Sequence, residues 1–292
     1  MKKKITVSDY LFNLLRLNGA NDIFLVPGGG NMYLIDSVKK NKKLNYINFF
    51  HEQTATIAAE SYSRKKNKLG VSLVTSGPGS TNSITAVAGA WIESIPLIIV
   101  SGQVKSADIK ENKKIRQNGP QEVNIIDLVK SITKFSVTLN SKMNIPKVLY
   151  KCIQEAISMR KGPVWIDIPL DIQSKKFIRK KNIKNFKSKN IKAKKINNID
   201  KIYSMLIKSK RPLILIGNGI HISNNKKNFL EFINKIKIPI LSTWNASDII
   251  ETNNKFYFGR PGLFGNRIAN LAIQSCDLLI ILGSRLSVPI TG

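Results

Sequence analysis

Residues 70–104 read GVSLVTSGPGSTNSITAVAGAWIESIPLIIVSGQV, and this stretch decides the fold of the first part of the chain. An apolar run at 70–75 ends in a Ser-Gly-Pro-Gly turn at 76–79. The small residues that follow predict a helix over 80–91, and the apolar run at 96–101 predicts a strand with both faces buried. This order of strand, turn, helix and strand is typical of a parallel sheet flanked by helices.

The same alternation extends outward on both sides of this stretch. Further strands are predicted upstream at 22–26 and 46–50, and downstream at 134–138 and 164–168, with helical segments between them. We therefore expect an α/β fold whose first domain covers residues 1–173.

Three turns of this first domain follow predicted strands, at 27–30, 51–52 and 76–79. Open parallel sheets bind their ligands at the carboxyl ends of the strands. The three turns therefore predict one common ligand site at that edge of the sheet.

A basic segment separates the first domain from a second α/β unit. Residues 175–195 contain ten lysines and Arg179 and no acidic residue, which predicts a linker over 174–197. A strand at 213–216, the turn Gly217-Asn218-Gly219 and a strand at 278–282 then predict a truncated Rossmann-like domain over 198–292.

The formal net charge of +29 raises the question of nucleic-acid binding, because a strongly basic chain attracts polyanions. Much of the excess lies in the linker, the rest is scattered, and no known nucleic-acid-binding module is recognisable. A solvated, lysine-rich surface is the favoured interpretation, and nucleic acid is not expected as a partner.

The cysteines and the N-terminal sequence predict the cellular compartment of the protein. Cys152 and Cys276 are the only cysteines, and both fall in predicted core helices, so a disulfide framework is not expected. The first apolar stretch is broken by Asp9, Asn13 and Arg16, which argues against a signal peptide. No apolar run approaches the roughly 18 residues that span a bilayer. We expect a cytoplasmic protein without a membrane segment.

Six short motifs occur in order along the first domain. They are FLVPGGG (24–30), HEQ (51–53), TSGPGSTN (75–82), SIPLIIVSGQV (94–104), QE (121–122) and GPVWIDIPLDIQ (162–173). In this order and spacing the chain resembles the thiamine-diphosphate-dependent enzymes of the acetolactate synthase type. The resemblance is strong over 5–173, which would form the pyrimidine-binding domain, and weaker over 198–292, which would form part of the middle domain.

Glu52 is the residue to which the resemblance gives the main role. From its position alone, Glu52 ends a strand and begins a helix, where a carboxylate is favoured by the helix dipole and needs no further function. The resemblance implies that it is catalytic: it would bind N1′ of the cofactor's aminopyrimidine ring and favour the imino tautomer that deprotonates C2 of the thiazolium. A glutamine could hydrogen-bond this nitrogen but could not exchange a proton with it.

The neighbouring turns are implied to bind the cofactor. Gly28 and Gly29 lack side chains, so the backbone could approach a flat ring closely. Pro78 and Asn82 belong to the loop that lies against the cofactor in the family. As an alternative, the glycines only turn the strand into the next helix.

Two glutamines complete the implied site. Gln103 matches a family glutamine near the reacting centre and is predicted to contact the cofactor. Gln121 matches a glutamine of the substrate pocket and is predicted to be catalytic. Family members usually carry Phe before this glutamine, whereas here it is Pro120, which leaves the second substrate open.

The resemblance of the second unit leaves FAD as an open cofactor. Middle domains of acetolactate synthases hold FAD in a structural role, and Arg160 matches an arginine that reaches it from the first domain. Leu263 and Phe264 replace a Met-His pair, however, and many relatives have this domain without FAD.

The remaining cofactor contacts are expected from outside these 292 residues. The family binds the diphosphate through Mg²⁺ with a GDG motif followed by Asn-Asn, and neither half occurs here. The chain itself shows no metal-ligand spacing. The resemblance thus implies a homodimer or tetramer formed through the first domain, or a separate chain that carries the diphosphate-binding domain.

The predicted function is decarboxylation and carboligation of pyruvate or another 2-oxo acid, as in branched-chain amino acid biosynthesis, by a truncated or split transferase or lyase. The alternative is a non-catalytic fragment or an interaction subunit of such an enzyme. The family pattern alone does not select the 2-oxo acid or its acceptor.

Overall fold

The computed structural model describes residues 4–110, 114–178 and 198–291. The chain divides into two compact units, Met1–Lys192 and Ala193–Gly292. Most of the predicted basic linker, residues 174–197, lies outside the described residues. The domain boundaries at 173 and 198 therefore stay predictions.

The first unit contains eight strands and eight α-helices among its described residues. They are β1 (Lys4–Thr6), α1 (Val7–Leu17), β2 (Asp22–Leu25), α2 (Met32–Lys40), β3 (Asn45–Asn48), α3 (Glu52–Lys66), β4 (Gly70–Val74), α4 (Pro78–Thr81), α5 (Ile84–Glu93), β5 (Leu97–Gln103), α6 (Ile125–Val129), β6 (Phe135–Thr138), α7 (Ile145–Ile157), β7 (Pro163–Pro169), α8 (Leu170–Ser174) and β8 (Lys176–Ile178).

Six of these strands form one parallel sheet in the order β3-β2-β4-β5-β7-β6. The central pair runs in register from Leu97 opposite Pro163 to Gln103 opposite Pro169, and both strands are buried along their whole length. The predicted α/β class with a helix-flanked parallel sheet is confirmed. Because all six strands run in one direction, their carboxyl ends lie at one edge.

Alternate residues of the central strands pack into two separate cores. Ile98 and Ile166 belong to the core that α1, α2 and α7 cover, together with Leu11 of α1. Ile99 and Trp165 belong to the core on the other face, which α3 and α5 cover. This alternation is the period-2 pattern of a sheet that is buried on both sides.

One predicted helix is divided in the structure. The segment predicted as a helix over 80–91 forms the short α4 and the longer α5, with Asn82 and Ser83 between them. Asn82 thus ends the first turn after β4 rather than lying inside a helix. From this position the side chain of Asn82 contacts Glu52.

A small antiparallel sheet ties the beginning of the first unit to its end. β1 pairs with β8, with Lys4 opposite Ile178 and Thr6 opposite Lys176. The pairing continues as a hydrogen bond from Ser8 Oγ to the carbonyl of Gln173 at 2.9 Å. Thr6 also caps α1, because its hydroxyl accepts a hydrogen bond from the backbone N–H of Asp9 at 3.1 Å.

The second unit is a smaller α/β layer. Its described elements are α9 (Ile199–Lys208), β9 (Pro212–Ile216), α10 (Gly219–Ile222), α11 (Lys226–Ile236), β10 (Ile240–Ser242), α12 (Arg267–Ser275), β11 (Leu278–Leu282) and α13 (Val288–Thr291). The three strands form a parallel sheet in the order β10-β9-β11, so the predicted Rossmann-like class is confirmed. In the part of the chain that is described, no helix combines the length and apolar character needed to cross a bilayer.

Candidate active site

Glu52 is positioned by the connection from β3 into α3 at the carboxyl edge of the first sheet. It is the first residue of the helix, and His51 is the cap: His51 Nδ1 accepts a hydrogen bond from the backbone N–H of Gln53 at 3.2 Å. The helix N-terminus favours a negative charge at this position.

The Glu52 carboxylate lies against the turn that follows β4. Its Oε2 accepts a hydrogen bond from Asn82 Nδ2 at 2.9 Å. A Cβ placed on Gly79 would lie 2.9 Å from Glu52 Oε1, so only glycine leaves this approach unobstructed. None of the ion pairs within residues 4–110, 114–178 and 198–291 includes Glu52. One carboxylate oxygen is therefore fixed by Asn82 while the other faces the backbone of Gly79.

The turn after β2 packs directly on the turn after β4. The N–H of Gly30 donates to Thr75 Oγ1 at 3.1 Å, and a Cβ on Gly28 would lie 2.6 Å from Thr75 Cβ. Gly28 is thus required by a contact within the protein. Gly29, in contrast, is exposed, and a Cβ placed there would meet no atom within 4 Å. The turns predicted to share one site do lie together.

Gln121, from a distant part of the chain, also lies against the turn that follows β4. A Cβ on Gly77 would lie 2.1 Å from the carbonyl oxygen of Gln121, and Gly77 has the positive φ of +59° that favours glycine. Gln121 itself has a φ of +58°, and its side chain is exposed. The segment that carries Gln121 therefore packs against the Gly77-Pro78-Gly79 turn.

Glu122 holds this segment in place. Its carboxylate accepts hydrogen bonds from the backbone N–H groups of Lys110 at 2.9 Å, Asn118 at 2.7 Å and Gly119 at 3.2 Å. Burial acts to raise the pKa of Glu122, but the three N–H donors outweigh it, and the pKa lies below its ordinary value. The charged carboxylate thus fixes the loop that leads into Gln121.

Gln103, predicted as a cofactor contact, is engaged inside the protein. Its Nε2 donates to the carbonyl of Val123 at 3.0 Å and to Asp167 Oδ2 at 3.2 Å, and its Oε1 accepts from the N–H of Val104 at 3.0 Å. The side chain is buried. In this structure Gln103 fixes the 121–123 segment through its hydrogen bond to the carbonyl of Val123. Its predicted contact with a cofactor stays a prediction.

Asp167 is the centre of this buried polar network. It accepts hydrogen bonds from Ser101 Oγ at 2.7 Å and Thr138 Oγ1 at 3.1 Å as well as from Gln103, while Ser101 Oγ accepts from Trp165 Nε1 at 2.8 Å. Burial raises the pKa of Asp167 to about 6, although its three side-chain donors act in the opposite direction.

Arg160 is not brought to this cluster. It precedes β7, and its Nε donates to Ser94 Oγ at 2.7 Å, just before β5 begins. Both residues therefore lie at the amino ends of the parallel strands, at the edge opposite Glu52.

The sequence matches the thiamine pyrophosphate enzymes in two places. Residues 5–128 match their N-terminal TPP binding domain, and residues 199–292 match their central domain. The chain belongs to the thiamine pyrophosphate enzyme family.

Acetolactate synthase large subunits are among the similar members of this family. The isozyme 2 large subunit of Escherichia coli K12 is 32% identical over 291 residues, which are 98% of this chain and 50% of that protein. The large subunit of Cyanidium caldarium is 33% identical over 97% of this chain and 49% of its own length. The large subunit of Lactococcus lactis is 31% identical over 98% and 49%, respectively. The chain thus spans about half the length of the curated relatives that it matches.

The residues around Glu52 fit the group that gives this family its name. An aminopyrimidine ring needs a carboxyl group to share a proton with its ring nitrogen and a side-chain-free surface beside it. Glu52 offers an oxygen that faces Gly79, and Gly29 leaves open space on the neighbouring turn. No cluster of three or more His, Cys, Asp or Glu residues in the described ranges is arranged to hold a metal ion.

The glycines of the second unit are explained by contacts within this member of the thiamine pyrophosphate enzyme family. A Cβ on Gly217 would lie 2.4 Å from the carbonyl oxygen of Gly283, which also accepts the N–H of Gly219 at 2.8 Å. A Cβ on Gly262 would lie 2.1 Å from the carbonyl oxygen of Pro289. These glycines join the ends of the strands and the following loops, so they do not by themselves point to FAD.

Sequence reasoning missed three supporting residues. Asp167 accepts a hydrogen bond from Gln103, and Glu122 fixes the loop that leads into Gln121. Buried Gln173 donates from Nε2 to the carbonyl of Gly30 at 2.7 Å. The signal for Asp167 is present in the sequence, since it is an acidic residue inside the otherwise apolar strand WIDIP. Glu122 and Gln173 belong to the motifs QE and GPVWIDIPLDIQ, but neither motif indicates which backbone groups these side chains bind.

Proposed function

We propose that this chain supplies the aminopyrimidine-activating half of an acetolactate synthase-like enzyme that acts on pyruvate or another 2-oxo acid. The observation that carries the proposal is the Glu52 carboxylate, held by Asn82 on one oxygen and facing Gly79 with the other. The similarity to acetolactate synthase large subunits supports the reaction class.

Glu52 would hold a proton at N1′ of the aminopyrimidine. Asn82 donates to Oε2, so the proton would be carried on Oε1, the oxygen that faces Gly79. The hydrogen bond from Asn82 also fixes the orientation of the carboxylate. Thiamine diphosphate, when bound, supplies the nucleophilic carbon for the ketone of a 2-oxo acid and the electron sink that lets CO2 leave.

Gln121 would line the position of the 2-oxo acid. Its backbone is fixed against Gly77 while its side chain stays exposed, so a polar amide is presented beside the turn that faces Glu52. Pro120 before it would set the shape of the acceptor pocket, where relatives usually carry Phe. Gly28, Gly29 and Pro78 would form the wall of the ring site.

The diphosphate and its Mg²⁺ would be bound by residues outside these 292, in a dimer or tetramer or in a complex with another chain. Two observations are compatible with this part of the proposal. The described residues form no metal-binding cluster, and the chain spans about half the length of the curated acetolactate synthase subunits. The proposed reaction does not use FAD.

The test combines the purified chain with a polypeptide that supplies the diphosphate-binding half, together with thiamine diphosphate, Mg²⁺ and pyruvate. CO2 release and acetolactate formation are measured for each chain alone and for the mixture. We expect turnover only in the mixture. A series of 2-oxo acids in place of pyruvate identifies the preferred substrate.

Two results would decide against the proposal. A stable complex that releases no CO2 from any 2-oxo acid favours the alternative of a non-catalytic interaction subunit. Turnover that survives unchanged in Glu52→Gln removes the role of this carboxylate while leaving the family membership intact.

A further inference from the structure

A cleft that the proposed reaction does not use lies on the first unit, between α1, α2 and the β1–β8 pair. Its volume is about 610 Å³, within the range of roughly 300–1,000 Å³ that is usual for small-molecule sites. Six cationic side chains line it: Lys4, Arg16, Lys40, Lys42, Lys43 and Lys176. We call this the basic cleft.

The basic cleft contains a single carboxylate, that of Asp9. Asp9 Oδ1 accepts a hydrogen bond from Ser37 Oγ at 2.8 Å, which ties α1 to α2. Lys40 forms an ion pair with Asp36 on its own helix. Counting both Asp9 and Asp36, the six cationic side chains still outnumber the acids by a wide margin. The six cationic side chains come from four separate segments of the chain.

Arg16 gives the second, independent observation. Its Nε is buried and has no hydrogen-bond partner within the described part of the chain. An unsatisfied buried donor is costly, typically by more than the net gain from a single hydrogen bond. Because Nε itself is enclosed, an anion in the cleft would be met by the rest of the guanidinium group, whose side chain lines the cleft.

The character of the lining restricts the ligand. None of the residues that line the cleft is aromatic, and Ile5 is its only large apolar side chain. A nucleobase would find no surface on which to stack. Multiple positive charges with one available guanidinium instead match an anion that carries several phosphate groups.

We propose that the basic cleft binds a short polyphosphate chain, such as tripolyphosphate or the phosphates of a nucleoside triphosphate, through Arg16 and the lysines around it. The site is separate from Glu52, because it lies beside α1 and the β1–β8 pair rather than at the carboxyl edge of the six-stranded sheet. It requires neither thiamine diphosphate nor a partner chain, so its test is independent of the proposed reaction.

The experiment is calorimetric titration of the full chain with sodium tripolyphosphate at low ionic strength. Orthophosphate is the weak-binding reference, and ATP is the second source of the same phosphates. We expect tripolyphosphate to bind at least tenfold more tightly than orthophosphate, because more oxygens meet more cations. ATP is expected to bind within about threefold of tripolyphosphate, since the lining offers no stacking surface.

A matched pair of double variants separates the cleft from the general basic surface. Lys42→Gln with Lys43→Gln removes two adjacent exposed lysines from the cleft, whereas Lys65→Gln with Lys66→Gln removes two adjacent exposed lysines from the end of α3. The first pair is expected to weaken tripolyphosphate binding roughly tenfold and the second less than twofold.

Arg16→Lys tests the guanidinium at constant charge. We expect it to weaken tripolyphosphate binding severalfold while the melting temperature without ligand changes little, because Lys keeps the charge but not the planar fork of donors. The proposal is overturned by the absence of binding at low salt or by equal losses in the two double variants. It is also overturned by ATP binding more than tenfold tighter than tripolyphosphate, which would require recognition of the base.

Discussion

Glu52 and Asp167 are two carboxylates at the same edge of one parallel sheet, yet their surroundings differ. Asp167 is completely enclosed, accepts hydrogen bonds from three side chains and has a raised pKa of about 6. Glu52 is only partly buried, accepts one hydrogen bond from Asn82 and faces a glycine.

The difference separates a supporting carboxylate from one that is available to a ligand. A buried acid whose lone pairs are used by protein donors stabilises and orients its neighbours, here Gln103 and the segment that leads to Gln121. An acid with a free oxygen above a side-chain-free backbone can exchange a proton with a bound group. Substitutions at the two positions should therefore change different measurable quantities.

The largest effect is expected at Glu52. Glu52→Gln keeps an acceptor for Asn82 but cannot take up or release a proton, so turnover of the reconstituted enzyme should fall by roughly 10²–10⁴-fold. The melting temperature should remain within a few degrees of the wild type. Steady-state kinetics of CO2 release and a thermal melt of the same sample measure both quantities.

Glu60→Gln is the matched control, since Glu60 lies two turns further along α3 and pairs with Arg64 on the helix surface. Its loss should leave turnover nearly unchanged. Equal decreases in the two variants would mean that Glu52 acts through helix stability rather than through proton transfer.

The second effect concerns the pH dependence of stability at Asp167. Burial raises the pKa of this acid from 3.8 to about 6, so the folded state binds its proton more tightly than the unfolded state does. The stabilisation is fully present below the unfolded pKa and is lost as pH rises through about 6. By linkage it amounts to roughly 3 kcal/mol.

Asp167→Asn should remove this slope. Urea unfolding of wild type and variant between pH 4 and 7 gives the free-energy difference at each pH, and the difference should change up to about pH 6 and then level off. A difference that is independent of pH would show that Asp167 keeps an ordinary pKa in the folded protein, which would weaken its contrast with Glu52.

A third, smaller effect with the opposite sign is expected at Glu122. Its pKa is lowered in the folded state, so its contribution is present above the unfolded pKa and is lost as pH falls through the folded pKa. Glu122→Gln should lose about 1–3 kcal/mol at pH 7, since the neutral amide is a weaker acceptor for three N–H groups. The two proteins should converge in stability only once the pH has fallen below the folded pKa of Glu122.

Hydrogen exchange measures, residue by residue, which amides lose protection in Glu122→Gln. The amides of Asn118 and Gly119 should exchange faster in the variant, whereas those of the central strands β5 and β7 should not. Uniformly faster exchange would indicate global destabilisation and would contradict a local role in holding the Gln121 segment.

The smallest effect is expected at two glycines that differ in their surroundings. A Cβ at Gly79 would lie 2.6 Å from Thr75 Cγ2 and 2.9 Å from Glu52 Oε1, whereas one at Gly89 in α5 would meet nothing within 4 Å. Gly79→Ala should therefore lower turnover about tenfold through a small displacement of the carboxylate. Gly89→Ala should leave turnover unchanged and stabilise the helix by about 0.5–1 kcal/mol. A harmless Gly79→Ala would remove the argument that this glycine keeps the space above Glu52 open.

Much of this arrangement could be predicted from the sequence because it depends on local pattern. Alternation of apolar runs with helical segments identified the parallel sheet, and parallel strands necessarily place the turns at 27–30, 51–52 and 76–79 at one edge. The glycines of these turns were also recognisable, although the structure gives Gly28 a different reason, namely its contact with Thr75.

The remaining features depend on which side chain faces which neighbour, and a one-dimensional pattern does not contain that information. The predicted cofactor contact of Gln103 stays a prediction, and the motif does not reveal that its amide reaches Asp167, more than 60 residues away in the sequence. Asn82 was placed within a helix, whereas the break between α4 and α5 turns it toward Glu52. Arg160 lies at the opposite edge of the sheet, where its contact is Ser94.

The pairing of β1 with β8 has a consequence for synthesis on the ribosome. Lys4 pairs with Ile178, so the first strand has no partner until almost the whole first unit has left the exit tunnel. Pairing of residues so far apart in the sequence comes late in folding, because contact order slows the rate more than it changes the stability. Moving β1 behind β8 by circular permutation should therefore shorten this delay.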